Sequence, residues 1–379
     1  MEAVTMLTRL FSPALLFALI VVADISGACP DGFAVYSKGD NINRTLYKVS
    51  LSSITGVGQE VKICEKGAAG GDIQGQISFD GTMVAFARSL GGNPGDYGGD
   101  DYHAFGGWDI YVVKIDGALP ATPVRVAHGY YPSWGANSSE DVKTLYYSVH
   151  EMGQIWKATI NSNGSVSDTS FHATAGGSFM MCSPDGQNYA FRSGTNMYIK
   201  NFQTGNSFLA GGGCHPHWTA DGKWMVHASG HAVRNDGSRD VWIHTIVGPY
   251  HYGSSQDMAW FINTTNATAG TQNNGGTLYL YTLDAADDRF NLSRQNELIT
   301  ADGSWPDIHA GRVDQTPVNT SRAADGSPSC NHRAYRTPFV NVRGNSVVLT
   351  PPFAGAYRAE VLNLRGQVMA RLAGSASSP

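Results

Sequence analysis

The sequence predicts an all-β fold: a six-bladed β-propeller closed by a C-terminal inner strand, followed by a small β-rich C-terminal module. Three observations carry this. Of 379 residues 45 are Gly without a collagen period and 11% are aromatic, the mixture expected where many short strands meet in tight turns. A short strand reading polar residue, aliphatic, then Tyr or Trp recurs six times. Upstream of most copies stands an Asp-Gly turn followed by apolar alternation, the pattern of a half-buried hairpin strand. With 42% hydrophobic residues, 15% charged and a net charge of -5, the chain is neither disordered nor basic enough for a nucleic-acid partner.

Taken in chain order, the first element is an apolar run of 14 residues, Leu10–Ala23, after Arg9 and before Ser26-Gly27-Ala28. Residues 1–28 read as a secretory signal peptide, since a spanning helix needs roughly 20 residues, and no transmembrane segment remains after its removal. The expected location is therefore secreted or cell surface. Cys29 would begin the mature chain and raises the question of a lipid anchor, although Ser26 stands where lipoprotein signals carry Leu. Cys64, Cys182, Cys214 and Cys330 would then be an even set suited to two disulfides, with no pairing legible. Sequons at Asn43, Asn137, Asn163, Asn263, Asn266, Asn291 and Asn319 are glycan sites only in a eukaryotic host.

The repeated strand appears as TLYKVSL, DIYVVKI, QIWKATI, NMYIKNF, DVWIHTI and TLYLYTL. Between Tyr47, Tyr111, Trp156, Tyr198, Trp242 and Tyr279 the steps are 64, 45, 42, 44 and 37 residues. Ahead of it lie Ser78-Phe79-Asp80-Gly81 with MVAFARS, Ser183-Pro184-Asp185-Gly186 with NYAFRSG, and Thr219-Ala220-Asp221-Gly222 with WMVHASG. Strand, turn, strand, loop, aromatic strand, turn, strand makes one four-stranded blade. These residues resemble the TolB-like (WD40-like) β-propeller repeat, which implies a fold and little about activity.

Residues 29–310 form the expected propeller. Cys29-Pro30-Asp31-Gly32 opens on the turn of a blade that lacks its innermost strand, and residues 304–310 supply one with no blade after it, so the ends close the ring. Residues 311–335 read as a polar linker and residues 336–379 as the C-terminal module. Its GAYRAEVLNLRGQV pattern resembles the sorting modules of proteins secreted by the type IX pathway, including those of Fibrobacter-like bacteria, which implies cell-surface attachment; an ordinary appended hairpin is the alternative.

Inner strands begin, and second strands end, at the face that forms the usual mouth of a propeller channel. That rule collects Arg88, Tyr131, His150, Arg192, Asp307 and His309 as substrate-binding candidates, together with His128 and Glu151. It also gathers His215, His227, His231 and Arg234 as a candidate catalytic set, imidazoles being able to serve as acid, base or ligand. His215 and His217, two apart on a strand, share a face and with His231 make a candidate divalent-metal site. The set is similar in architecture and residue type to oligogalacturonate lyases, propellers whose histidines hold a divalent metal. The insertion Gly91–Gly107 offers Asp96, Asp100 and Asp101 for calcium, or serves as a lid. Trp134, Trp156, Trp218, Trp224, Trp242 and Trp305 stand at repeat-locked positions and read mostly as core. The expected function is binding of an extracellular glycan or protein at the mouth. The alternatives are a polysaccharide lyase or hydrolase with a His-rich, metal-dependent site, and a structural subunit of an extracellular assembly.

Overall fold

A computed structural model describes residues 20–22, 29–39, 44–52, 56–65, 70–90, 107–136, 141–149, 153–243, 251–265, 276–286, 288–310, 339–343, 346–350, 355–362 and 368–376. The chain divides into two units, residues 27–317 and residues 1–26 with 318–379. Strand β1 (Ile20–Val22) belongs to the smaller unit. Among the described residues the larger unit is strand and turn throughout, with no helix.

Strands β2 (Gly32–Lys38), β3 (Thr45–Ser52) and β4 (Gly56–Lys62) form an antiparallel meander. Four separate four-stranded sheets follow. They are β5 (Asp72–Ile77), β6 (Met83–Ser89), β7 (Trp108–Lys114), β8 (Val124–His128); β9 (Tyr130–Trp134), β10 (Val142–Val149), β11 (Gln154–Asn161), β12 (Val166–Thr174); β13 (Ser178–Cys182), β14 (Asn188–Ser193), β15 (Asn196–Asn201), β16 (Ser207–Gly212); and β17 (His217–Trp218), β18 (Trp224–His227), β19 (His231–Arg234), β20 (Asp240–Trp242). Then come β21 (Tyr252–Ser254), β22 (Trp260–Thr265), β23 (Gly276–Ala285) and the long β24 (Phe290–Ala310). This is an all-β propeller. Six separate blades were expected; four four-stranded sheets stand alone, and β24 joins the remaining strands into one seven-stranded sheet. It does so by pairing with β23 through Phe290–Gly303 and with β2 through Ser304–Ala310.

Burial falls from the inside of each blade outward. The inner strand β9 is buried along its whole length, whereas the outer strands β8 and β12 carry exposed and half-buried residues. Neighbouring blades share their apolar faces: Ile73, Ala87, Tyr131, Trp134, Phe179 and Trp305 belong to one cluster drawn from several sheets. The turns that join inner and second strands repeat one device. Ser78, Ser183, Thr219 and Ser255 each donate a hydroxyl hydrogen bond to the Asp two positions on: Asp80, Asp185, Asp221 and Asp257. The next residue is left-handed, at φ 72°, 70° and 69° for Gly81, Gly186 and Gly222, and 57° for Met258.

Among the described residues no disulfide joins Cys29, Cys64, Cys182 or Cys214, so the expected disulfides are not formed there; Cys330 lies outside them. Burial pushes the Cys64 thiol up to about 12 and holds Cys182 well above its ordinary value, which leaves both unreactive. Cys29 is 2% exposed in the cluster of Ala34, Tyr36, Val49 and Leu51, so a lipid on its sulfur would have to leave that core.

In the smaller unit, β25 (Phe339–Arg343) pairs with β26 (Ser346–Thr350), and β27 (Gly355–Leu362) pairs with both β28 (Val368–Ala376) and β1. The linker 311–335 lies outside the described residues. Among the described residues no helix is long and apolar enough to cross a membrane.

Candidate functional site

Six side chains, one from the start of each inner-strand segment, converge on the channel: Gln74, Tyr131, Phe179, His215, His251 and Trp305. Five of these are held at positive φ: 58°, 54°, 53° and 51° for Gln74, Tyr131, Phe179 and His215, and 53° for Trp305. The pairing register slips beside three of them, between Ile73 and Gln76, Ser178 and Met181, and Tyr146 and Ser148. These are β-bulges, which turn one side chain out of the pleat and toward the axis. For bulky residues such a backbone costs about 1–3 kcal/mol each and persists only when the surroundings impose it.

The rings then touch in sequence. Centroid separations are 5.9 Å for Tyr131 and Phe179, 4.7 Å for Phe179 and His215, 5.2 Å for His215 and His251, and 3.4 Å for the stacked His251 and Trp305. Trp305 also meets Tyr131 at 6.2 Å and His215 at 5.3 Å, which closes the ring. The Trp305 backbone N–H points at Nδ1 of His251 at 3.4 Å, and the Tyr131 N–H donates to Oε1 of Gln74 at 2.8 Å. Gln74, Tyr131, His215, His251 and Trp305, together with Gln76, Met181, His217, Tyr252 and three prolines, line a cavity of ≈ 20 Å³, room for about one water.

Of the residues expected at the site, Tyr131 and His215 stand in the ring, and His217 lines the same cavity one step along its strand. Arg192 lies 5.4 Å from the Phe179 ring, with its Nε–H on the Gly194 carbonyl, so it is the expected cation that does flank the ring. Asp307 sits on the inner strand next to the ring, 5% exposed, with its carboxylate receiving the Ile77 N–H at 2.7 Å and the Ile308 N–H at 2.9 Å.

The others are elsewhere. Arg88 is committed to buried Asp72, with Nε and Nη2 at 2.6 and 2.8 Å from its two oxygens, and it cannot also hold substrate. His309 lies toward the opposite end of its strand, stacked on Phe33 at 5.2 Å with Nε2 on the Phe79 carbonyl beside the Gly81 turn. His227 is fully buried, donating from Nε2 to the Ala210 carbonyl at 2.8 Å and accepting from the Ser229 hydroxyl at Nδ1. His231 gives Nδ1–H to Asp240 at 2.7 Å, and Arg234 packs over Trp224 at 5.5 Å. The expected metal set His215, His217 and His231 is therefore corrected. Two members serve the channel and the third faces outward, and among the described residues no three His, Cys, Asp or Glu side chains come together to hold an ion. His150 and Glu151, and the insertion with Asp96, Asp100 and Asp101, lie outside the described residues.

Sequence reading missed His251, Phe179 and Gln74, and gave Trp305 to the core. The usable signal was position: Gln74, Phe179, His215 and His251 each precede the turn Asp by six residues. At His251 it was masked because Met258 takes the place of the turn glycine.

The buried Asp307 makes one local expectation. Desolvation pushes its carboxyl up to about 7 despite the two backbone donors that pull it down. The native state thus keeps a proton that an unfolded Asp releases near pH 3.9, so this group's contribution to stability falls as pH rises from about 4 to about 7. The full difference is at most about 4 kcal/mol. Urea midpoints of Asp307→Asn and the parent at pH 5 and pH 8 should show the parent losing relative stability at the higher pH; parallel shifts would refute this.

No family model matches the chain, and no curated protein matches it. Among solved structures, TolB from Acinetobacter baumannii is 13% identical over 73% of this chain and 66% of its own, with a TM-score of 0.44. A putative TolB from Agrobacterium tumefaciens is 15% identical over 73% and 91%, with a TM-score of 0.43. An oligogalacturonate lyase in complex with manganese is 12% identical over 59% and 69%, with a TM-score of 0.35. At these scores the propeller rests on its own sheet pattern, and the sorting-module resemblance of residues 336–379 gains no support.

Proposed function

We propose that this chain is an exported six-bladed, TolB-like propeller that binds an extracellular glycan or protein at the mouth of its channel. The sixfold reading counts β24 twice, as outer strand to β23 and as inner strand to β2. It is supported by six residues at equivalent inner-strand positions meeting in one ring. That ring is the observation that carries the binding reading: a rigid, mainly aromatic floor sealed at ≈ 20 Å³, so that a partner rests on it and does not pass through. The enzyme reading is the weaker one, because His227 and His231 are engaged in contacts of their blade. Export through residues 1–28 and attachment through the C-terminal unit belong to the same proposal.

The test is binding of the secreted protein to arrays of extracellular polysaccharides and of proteins from its host's surface, followed by Arg192→Ala. Arg192 is half-buried beside Phe179, so its loss should weaken a mouth ligand about tenfold while leaving the melting temperature within about 2 °C. A bound partner indifferent to Arg192→Ala, or release of oligosaccharide products from the array, would overturn the proposal.

A further inference from the structure

Beside the ring the channel carries a second tier of inner-strand residues. Two positions on from Gln74, Phe179 and His215 stand Gln76, Met181 and His217, and all three line the ≈ 20 Å³ cavity. Indoles of the following blades hold this tier in place. Nε1 of Trp134 donates to the Gln76 carbonyl at 2.9 Å, and Nε1 of Trp218 to the Met181 carbonyl at 3.0 Å.

His217 is the unusual member. It is 8% exposed and lines the cavity, yet among the described residues no protein group hydrogen-bonds to either of its ring nitrogens. The other described histidines each have a polar partner. A buried imidazole without a bond is costly, and such groups are as a rule met by a bound molecule where the protein does not meet them. Burial lowers its pKa to about 4, so the neutral ring offers one N–H and one bare nitrogen. Gln74, 5% exposed, supplies a second group of this kind. Its Oε1 is taken by the Tyr131 N–H at 2.8 Å, which leaves the Nε2 donors over, and among the described residues nothing accepts from them.

Size and charge select the guest. The cavity has room for about one water. The described residues that line it include no Asp, Glu, Lys or Arg, so a bare ion would lose its hydration without a countercharge. An apolar guest would leave His217 and Gln74 unmet. A water carries two donors and two acceptor sites and can serve both.

We propose that the channel cavity is a binding site for one resident water, held between the His217 imidazole and the Gln74 carboxamide. The water accepts from Gln74 Nε2 and bonds to the His217 ring, which fixes the ring's tautomer. The channel floor is then a hydrogen-bonded plug and not a dry void, which stiffens it. This concerns the interior of the channel and does not depend on the mouth reading.

The experiment uses the whole chain. A crystal structure that resolves single waters should show one peak about 2.7–3.2 Å from a His217 ring nitrogen and from Gln74 Nε2. Magnetic relaxation dispersion of water oxygen, which counts long-lived internal waters, should fall by one water in His217→Leu. Xenon should then enter the variant's cavity, as it enters other apolar cavities. His217→Gln keeps a donor and an acceptor and should retain the water. No peak in the parent, or xenon entering the parent's cavity, overturns the site, and this arm stands even where a variant fails to fold. A peak with the anomalous scattering of a metal or halide also overturns it, giving the cavity to an ion. An equal count of long-lived waters in the parent and His217→Leu would remove His217 from the site and overturn the proposal.

Discussion

Replacing Arg88 with Met is expected to cost about 3–5 kcal/mol of stability, because it strands a buried carboxylate. Asp72 has a side-chain exposure of 0% and Arg88 of 10%, and the guanidinium meets both of its oxygens. The same Nη2 donates to the Glu65 carbonyl at 2.8 Å and approaches Cys64 Sγ at 3.5 Å. The guanidinium carbon lies 5.2 Å from the Phe86 ring centroid and 5.0 Å from that of Tyr111. Arg88→Lys keeps the charge but loses the fork, so an intermediate loss is expected. Adding Asp72→Asn to Arg88→Met should recover most of it, since the uncompensated charge is the main cost. Urea unfolding followed by fluorescence decides the matter. If Arg88→Met folds with its midpoint unchanged and only ligand binding falls, Arg88 is a substrate residue after all and the structural role assigned to it is wrong.

Arg88 shows what the sequence could and could not reveal. Its place at the end of a second strand was legible, and so was the blade that the strand belongs to, because turn chemistry and apolar alternation are local. Its partner was not, because Asp72 is 16 residues away on an inner strand with no motif of its own. The ring illustrates the same limit. His215 was visible in a recognisable repeat, while His251 lay before a turn where Met258 adopts the left-handed conformation that Gly81, Gly186 and Gly222 adopt elsewhere. Spacing misled at Trp242: a step of 44 residues from Tyr198 matched the repeat, yet β18 and β19 pair His227 with His231 across a shorter loop than separates Phe191 from Tyr198. That shortening brings in an additional strand before Asp240. A hairpin's length is a local property, but which strand fills which place in a blade is settled only by pairing.

Acidification should unfold the propeller between pH 6.5 and 4, through histidines that the fold keeps neutral. Burial lowers His217 and His227 to about 4, and His251 falls well below its ordinary value through burial, with His215 and Arg44 adding to the effect. Each folded value lies under the unfolded one near 6.5, so the unfolded chain takes up protons that the native state refuses, and stability drops as pH falls through that window. For His217 and His227 the penalty is about 3 kcal/mol each at the acid end, a large share of a domain's usual 5–15 kcal/mol. Asp307 works in the opposite sense, since it is protonated in the native state up to about 7, and it offsets part of this loss. The net slope still favours acid unfolding because three histidines oppose one carboxyl. His227 shows why the neutral form is required: Nε2 must keep its proton for the Ala210 carbonyl while Nδ1 accepts from Ser229, an arrangement a second ring proton would break. Urea midpoints measured from pH 7.5 to 4.5 should fall steeply below 6.5, and the slope should lessen in His217→Gln and again in His227→Gln. NMR titration supplies the decisive check: imidazole resonances of His217 and His227 that move with a midpoint near 6.5 in the folded protein would show that neither ring is held neutral, and the acid lability would then need another origin.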